Sequence, residues 1–207
     1  MGLTTPSHGS EPASAWIASW AHLVPAGGQV LDVACGLGRH TRFFLERNNP
    51  VTAVDIAQAA IENIAKTLPP EQFNQAELTT ADIENGPWPF ADRQFAGIVV
   101  TNYLHRPLLP ILVQSLAPGG VLLYETFAAG NETVGKPSRP DFLLHPGELL
   151  NACASLRVIA YEDGFTTAPD RFVQRIAAVR ELLSVQNHQK PVNTASIPPA
   201  RYPLSPA

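Results

Sequence analysis

Val30-Leu31-Asp32-Val33-Ala34-Cys35-Gly36-Leu37-Gly38-Arg39-His40-Thr41 is the stretch that decides the fold. Its apolar run breaks at two glycines, and a helical pattern follows them. We therefore predict a buried strand, a tight turn and a helix N-terminus, an arrangement that presents backbone N–H groups to a nucleotide-like ligand. Acidic residues flank the turn: Asp32 lies inside the run, and Asp55 ends the next apolar run, 17 residues after Gly38.

Composition limits the classes of function. The 207 residues are 45% hydrophobic and 15% charged, which is typical of one globular domain. A net charge of −4 with only three lysines argues against a nucleic-acid partner, and no apolar run approaches the roughly 20 residues that span a bilayer. Neither cysteine has metal-ligand spacing. We expect a cytoplasmic protein with reduced cysteines, no bound metal and no membrane partner.

Proline placement suggests the domain boundaries. We predict a flexible N-terminus over residues 1–11, a single domain over residues 12–185 and a Pro-rich, extended or disordered C-terminal tail over residues 186–207.

Strand and helix patterns alternate through the domain. The pattern predicts a helix after Pro12 that carries Trp16 and Trp20, whose rings pack in the core or cover a ligand. Further helices are expected over Arg39–Arg47, Ala57–Leu68 and Pro107–Leu116 and from Pro146 onward. Strands are predicted over Gln29–Ala34, Val51–Asp55, Ala76–Ala81, Phe95–Thr101, Val121–Thr126, Leu156–Tyr161 and Phe172–Arg180. Pro69-Pro70 should stop the helix over Ala57–Leu68, and Pro118-Gly119-Gly120 should form a turn.

This alternation is typical of an α/β fold with a mainly parallel sheet and helices on both sides. Ligands of such sheets bind beyond the carboxyl ends of the strands. The residues expected around one crevice are therefore those that follow the strands: Gly36–Gly38, Asp55, Asp82, Asn102–Arg106 and Glu125–Asn131.

These residues resemble the motifs of the class I S-adenosylmethionine-dependent methyltransferases, particularly the small, tellurite-resistance-like members. The segment Asp32–Gly38 is similar to the family's first motif, and Asp55 to its ribose-binding acid. Asp82-Ile83 is similar to the pair that borders the adenine, and Leu116–Gly120 to the approach to its fifth strand. The resemblance implies a three-layer Rossmann-like sandwich with a mainly parallel seven-stranded sheet and an antiparallel last strand.

The resemblance also implies S-adenosyl-L-methionine as the cofactor and a small-molecule methyl acceptor. Glycine at the turn removes the Cβ that would obstruct a ligand and permits positive φ. Asp32 would meet the amino group of the methionine end or, alternatively, a backbone N–H of the turn. Asp55 would accept ribose hydroxyls, cap the following helix, or do both. The predicted cofactor-binding residues are Asp32, Ala34, Gly36, Gly38, Asp55, Ile56, Asp82, Ile83 and Asn102.

Three side chains beyond the fourth and fifth strands are candidates for a catalytic base: His105, Tyr103 and Glu125. His105 is favoured because a histidine titrates near working pH. The alternative is that His105 and Arg106 cap a helix or bind backbone carbonyls, and that Asp82 only forms a turn. The Gly- and Pro-rich loop over residues 128–144 is long enough to cover the crevice.

Two other functions share parts of this pattern. An NAD-dependent oxidoreductase also carries Gly-x-Gly after a strand and an acid further on, although Thr41 at the third glycine position disfavours that reading. The other alternative is a cofactor-binding regulatory module without activity.

Overall fold

The computed structural model describes residues 11–182 and 200–206. Seven strands form one sheet: β1 (Val30–Val33), β2 (Val51–Asp55), β3 (Ala76–Thr80), β4 (Phe95–Thr101), β5 (Leu116–Phe127), β6 (Arg157–Thr167) and β7 (Asp170–Val179). The helices are α1 (Ala15–Trp20), α2 (Arg39–Glu46), α3 (Gln58–Thr67), α4 (Pro70–Phe73), α5 (Leu109–Gln114) and α6 (Glu148–Ala152). None of these helices is long and apolar enough to cross a membrane.

The strand order is β3-β2-β1-β4-β5-β7-β6. Strands β1 to β5 pair in parallel, and β7 runs antiparallel to both β5 and β6. The predicted mainly parallel seven-stranded sheet with an antiparallel last strand is therefore confirmed. The order changes direction between β1 and β4, so the loops after these two strands leave a crevice at the carboxyl edge.

Apolar side chains cover both faces of the sheet, which produces the predicted three-layer sandwich. One face packs against α1, α2 and α3 through buried side chains such as Ile17, Phe44 and Ile64. The other packs against α5 and α6 through Leu112 and Leu149. The central strands β1, β2 and β4 are buried on both sides, as continuous apolar runs predict, whereas the edge strands β3 and β6 are largely exposed or half-buried.

One predicted turn differs from the structure. Pro118-Gly119-Gly120 does not separate a helix from a strand but lies within β5, where the register with β4 shifts between Phe95 and Gly97. Gly119 adopts φ 79° there and donates its N–H to Arg180, so the extra residues bulge without ending the ladder. Pro69-Pro70 follows the end of α3, as predicted, and Pro70 then starts the short helix α4.

The predicted chain ends lie mostly outside the described residues, which exclude 1–10, 183–199 and 207. Trp16 is buried and Trp20 packs beside it against the same core face, so the core alternative holds for this pair. Within residues 200–206 of the predicted tail, Tyr202 packs on that face.

Candidate functional site

The turn after β1 is built around backbone conformations with positive φ. Ala34, Gly36 and Gly38 have φ of 50°, 53° and 80°. A Cβ on Gly38 would lie 2.8 Å from the side chain of Ile64, so this glycine permits close packing against α3. A Cβ on Gly36 would meet no atom within 4 Å. The backbone at Gly36 is therefore open to a ligand.

Asp55 links the end of β2 to this turn. Its Oδ2 accepts the Gly36 N–H at 2.8 Å, and its Oδ1 accepts the Ala57 N–H at 2.8 Å at the start of α3. The second bond forms a turn just before α3, whose N-cap is Ala57 with no side-chain capping bond, so the helix-capping alternative for Asp55 is not observed. Each oxygen accepts one of these bonds, and a carboxylate oxygen has capacity for more.

Asp32 is buried within β1 and is satisfied from α2. Its Oδ2 accepts the Thr41 hydroxyl at 2.6 Å, and the Thr41 backbone N–H also bonds to the carboxylate. Burial raises the pKa of Asp32 from 3.8 to about 6. The partner of Asp32 is therefore Thr41 in the first turn of α2, and not the backbone N–H of the glycine turn that was the structural alternative.

Three adjoining cavities lie along the carboxyl edge of the sheet. We name them by one residue each: the Asp55 cavity (about 340 Å³), the Gly36 cavity (about 310 Å³) and the Phe127 cavity (about 280 Å³). Ala34 borders the first and second, Asn102 the second and third, and Tyr103 the first and third. The three cavities therefore meet around these residues.

The Asp55 cavity brings together the predicted residues at the ends of β2 and β3. Ile56 and Ile83 line it, with Asp82 between the strand end and a turn. Asp82 forms that turn itself, because its carboxylate accepts the backbone N–H groups of Glu84 and Asn85 at 3.0 Å. These bonds, the Asn85 backbone bond foremost, lower the pKa of Asp82.

Asn102 and Tyr103 follow β4 at the junction of the cavities. Asn102 has φ 54°, a left-handed conformation that asparagine adopts more readily than most residues. Tyr103 is held in place by Tyr124, whose hydroxyl donates to the Tyr103 carbonyl at 2.8 Å. Burial and the nearby Glu84 carboxylate raise the pKa of Tyr103, so its hydroxyl stays protonated.

His105 lies beside the crevice rather than in its wall. Its Nδ1 is 3.8 Å from Oε2 of Glu84, a residue that lines both the Asp55 and the Phe127 cavities. His105 therefore reaches the site through Glu84.

Glu125 is engaged in the core of the fold. Its Oε2 is 2.7 Å from Nε of Arg175 on β7, and its Oε1 accepts the Ser14 hydroxyl at 3.0 Å. Only 3% of the side chain is exposed. Since both oxygens are engaged, this arrangement argues against Glu125 as a base and is that of a structural ion pair.

His40 and Glu11, which line the Gly36 cavity with Arg39, were not predicted from the sequence. His40 accepts the Ser14 backbone N–H on Nε2 at 3.2 Å, so its proton is on Nδ1, 3.5 Å from the Thr101 hydroxyl. Burial, with the Arg39 charge, lowers the pKa of His40 to about 3. A neutral histidine therefore fastens the segment before α1 to the crevice.

The loop over residues 128–144 is anchored at two points. Arg106 bonds both oxygens of Glu148, at 2.7 and 3.0 Å, and the carbonyls of Asp141 and Leu143. Asn131 is buried, donates to the Pro137 carbonyl and accepts the Phe172 N–H. For Arg106, the alternative of carbonyl binding is therefore correct.

The strand order, the glycine turn and the crevice at the carboxyl edge form the Rossmann-like fold that the motifs predicted. Residues 30–120 match the family described as methyltransferase domain. The solved structure of TehB from Haemophilus influenzae is similar with a TM-score of 0.63 at 19% identity, covering 86% of this chain and 64% of that one. The solved structure of the glycopeptide N-methyltransferase MtfA complexed with sinefungin is similar with a TM-score of 0.60 at 19% identity. The match covers 86% of this chain and 98% of the MtfA chain.

Curated relatives match over part of their length. The malonyl-[acyl-carrier protein] O-methyltransferase of Serratia marcescens is 35% identical over 108 residues, which are 51% of this chain and 40% of the relative. The trans-aconitate 2-methyltransferase of Methylobacterium nodulans is 32% identical over 117 residues, which are 55% of this chain and 43% of the relative. The chain therefore spans about two fifths of the length of these relatives.

Proposed function

We propose that this protein is an S-adenosylmethionine-dependent methyltransferase that acts on a small-molecule acceptor by in-line methyl transfer. The observation that carries the proposal is the set of three cavities meeting at Ala34, Asn102 and Tyr103. We assign the Asp55 cavity to the nucleoside and the Gly36 cavity to the amino-acid part of the cofactor, and the Phe127 cavity to the acceptor. The names of the relatives and solved structures support the same class of reaction.

The residues present fit this cofactor. The open backbone at Gly36 admits a ligand where a side chain would obstruct it. Asp55 has lone pairs left for two vicinal hydroxyls, and its charge would repel a 2′-phosphate. Ile56 and Ile83 provide apolar surface for a purine ring. When bound, the cofactor supplies an activated methyl group on a sulfonium.

The chain contributes mainly by positioning. Ala34 and Asn102 hold the walls of the junction in left-handed conformations, and Tyr124 fixes the backbone of Tyr103. Aligning an acceptor with a reactive carbon can supply much of the acceleration. The protonated Tyr103 hydroxyl is placed to donate to the acceptor, and we propose His105, next to Glu84, as the group that relays a proton away.

The same features disfavour the two alternatives. The third glycine position of the dinucleotide motif is Thr41, whose hydroxyl is bound to Asp32. A regulatory module without activity would not need the Phe127 cavity beside the cofactor site. We further propose a cytoplasmic location without nucleic-acid or membrane partners, which the two free, buried cysteines and the acidic charge balance support.

Calorimetry with S-adenosylhomocysteine and NADH tests the proposal. We expect the first to bind and the second not to. Asp55→Ala should weaken S-adenosylhomocysteine binding at least about fivefold, because it removes the acceptor of the ribose hydroxyls, whereas Asp92→Ala, an exposed aspartate outside the crevice, should not. Binding of NADH alone would reject the proposal, and unchanged affinity in Asp55→Ala would remove Asp55 from the site.

A further inference from the structure

The Phe127 cavity has a chemical character of its own. Three aromatic rings line it, those of Tyr103, Phe127 and Phe142, together with Leu104 and Pro137. The remaining lining residues are Glu84, Asn102 and Thr126. Its walls are therefore largely apolar and offer π faces, with polar groups at a few points.

Glu84 is the only charged residue among the described residues that line this cavity. Its side chain is 44% exposed, and its Oε2 is 3.8 Å from Nδ1 of His105. A carboxylate and aromatic faces both attract a cation, and the carboxylate repels an anion.

Arginines near the cavity are already occupied by other groups. Arg106, two residues after Leu104, is bound to Glu148 and to two backbone carbonyls. Arg139 pairs with Asp141 at 2.7 Å and stacks on the ring of Phe142. The described part of the chain therefore supplies this cavity with no free guanidinium of the kind that clamps a carboxylate.

We infer that the methyl acceptor is an amine on an aromatic or apolar skeleton, with Glu84 as the residue that selects its charge. This inference rests on the proposed function. It separates the protein from the two curated relatives, whose names indicate a malonyl group and trans-aconitate, both carboxylates.

The chemistry balances without a further reactant. The bound ammonium first releases one proton, which His105 beside Glu84 relays to solvent. The nitrogen lone pair then forms the new bond to the methyl carbon, and the sulfur–carbon bond breaks with its electron pair kept by sulfur. The product leaves as an N-methylammonium, and one proton has been released overall.

Matched probes test the inference by binding as well as by turnover. Phenethylamine, phenethyl alcohol and hydrocinnamate share a skeleton and differ in charge, as do tryptamine, tryptophol and indolepropionate. Ligand-observed NMR on the S-adenosylhomocysteine-saturated protein should show each amine binding at least about fivefold more tightly than its carboxylate. With S-adenosylmethionine present, methylated products should come from the amines and not from the carboxylates.

Glu84→Gln keeps the shape of the side chain and removes its charge. The amine-to-carboxylate affinity ratio should fall at least about threefold in this variant, as expected for one partly exposed charge. Glu71→Gln, a matched change on the exposed surface of α4, should leave the ratio unchanged.

Carboxylates that bind as tightly as the amines, amines that do not bind at millimolar concentration, or an unchanged ratio in Glu84→Gln would each overturn the assignment. Failure of S-adenosylhomocysteine to bind would instead reject the proposed function. In that case the probe affinities measured on the free protein still decide whether Glu84 selects charge.

Discussion

Replacing Asp32 by asparagine should make stability depend on pH in a way that the structure specifies. The carboxyl is 2% exposed inside β1 and is bonded only through Thr41 among the interactions of the described chain. Its pKa is raised from 3.8 to about 6, with burial as the largest cause. The folded protein therefore holds a proton on Asp32 at pH values where the unfolded chain has lost it.

The sign follows from this difference in bound protons. Between pH 3.8 and about 6 the folded state binds more protons than the unfolded state, so the contribution of Asp32 to stability falls as the pH rises. Above about pH 6 the whole cost is present, on the order of 3 kcal/mol. Asparagine carries no charge, so the variant does not incur that cost.

Urea denaturation of both proteins at several pH values measures the effect. The free energy of unfolding of Asp32→Asn minus that of the parent should increase by roughly 2–3 kcal/mol between pH 4 and pH 8. Using the difference cancels any constant loss from the poorer pairing of the amide with Thr41. Asp92→Asn, which removes an exposed carboxylate, should show a flat difference. A flat difference in Asp32→Asn as well would refute the argument that Asp32 is a buried, costly charge.

Three further substitutions test the turn, the loop and the proton relay. Gly38→Ala should lower the free energy of unfolding by roughly 2 kcal/mol in thermal or urea unfolding, because the new Cβ would meet Ile64 and the φ of this residue is 80°. The control Gly135→Ala should leave stability unchanged, because a Cβ there would meet no atom within 4 Å. Arg106→Lys should lower the free energy of unfolding by about 1–2 kcal/mol and speed proteolysis within residues 128–144, because lysine cannot form the bidentate pair with Glu148. Unchanged cleavage would show that the loop does not depend on this anchor. His105→Gln should lower turnover at least about tenfold with unchanged S-adenosylhomocysteine affinity, and equal losses in both would mark His105 as structural.

The sheet could be predicted because each of its parallel strands is encoded locally. Phe95–Thr101 is a continuous apolar run with turn residues on both sides, and β4 has those same bounds. The turn predicted at Pro118-Gly119-Gly120 was wrong because the conformation of this segment depends on its partner strands and not on its local sequence. Local chemistry indicates a turn there, but pairing with β4 and β7 on either side keeps the segment within the sheet.

The placement of site residues was predictable where it depends on strand ends and unpredictable where it depends on distant partners. Asp55 and Asn102 follow strands and do line the crevice. Glu125 also lies near a strand end, but its partners Arg175 and Ser14 are remote in sequence, so nothing local indicates its ion pair. His40 reads as an ordinary residue of a helical first turn. Its position directly after the glycine turn was the one signal that could have identified it.

Trp16 is buried next to the segment that lines the Gly36 cavity, and this gives the protein a built-in optical probe. Its indole N–H bonds the Ile176 carbonyl, its ring lies 5.7 Å from that of Trp20, and Ser14, two residues earlier, bonds His40 in the cavity wall. Of the three tryptophans in the chain, only Trp88 lies elsewhere. In a Trp88→Phe variant the tryptophan emission would therefore come solely from the pair beside the crevice, so ligand titrations need no attached dye.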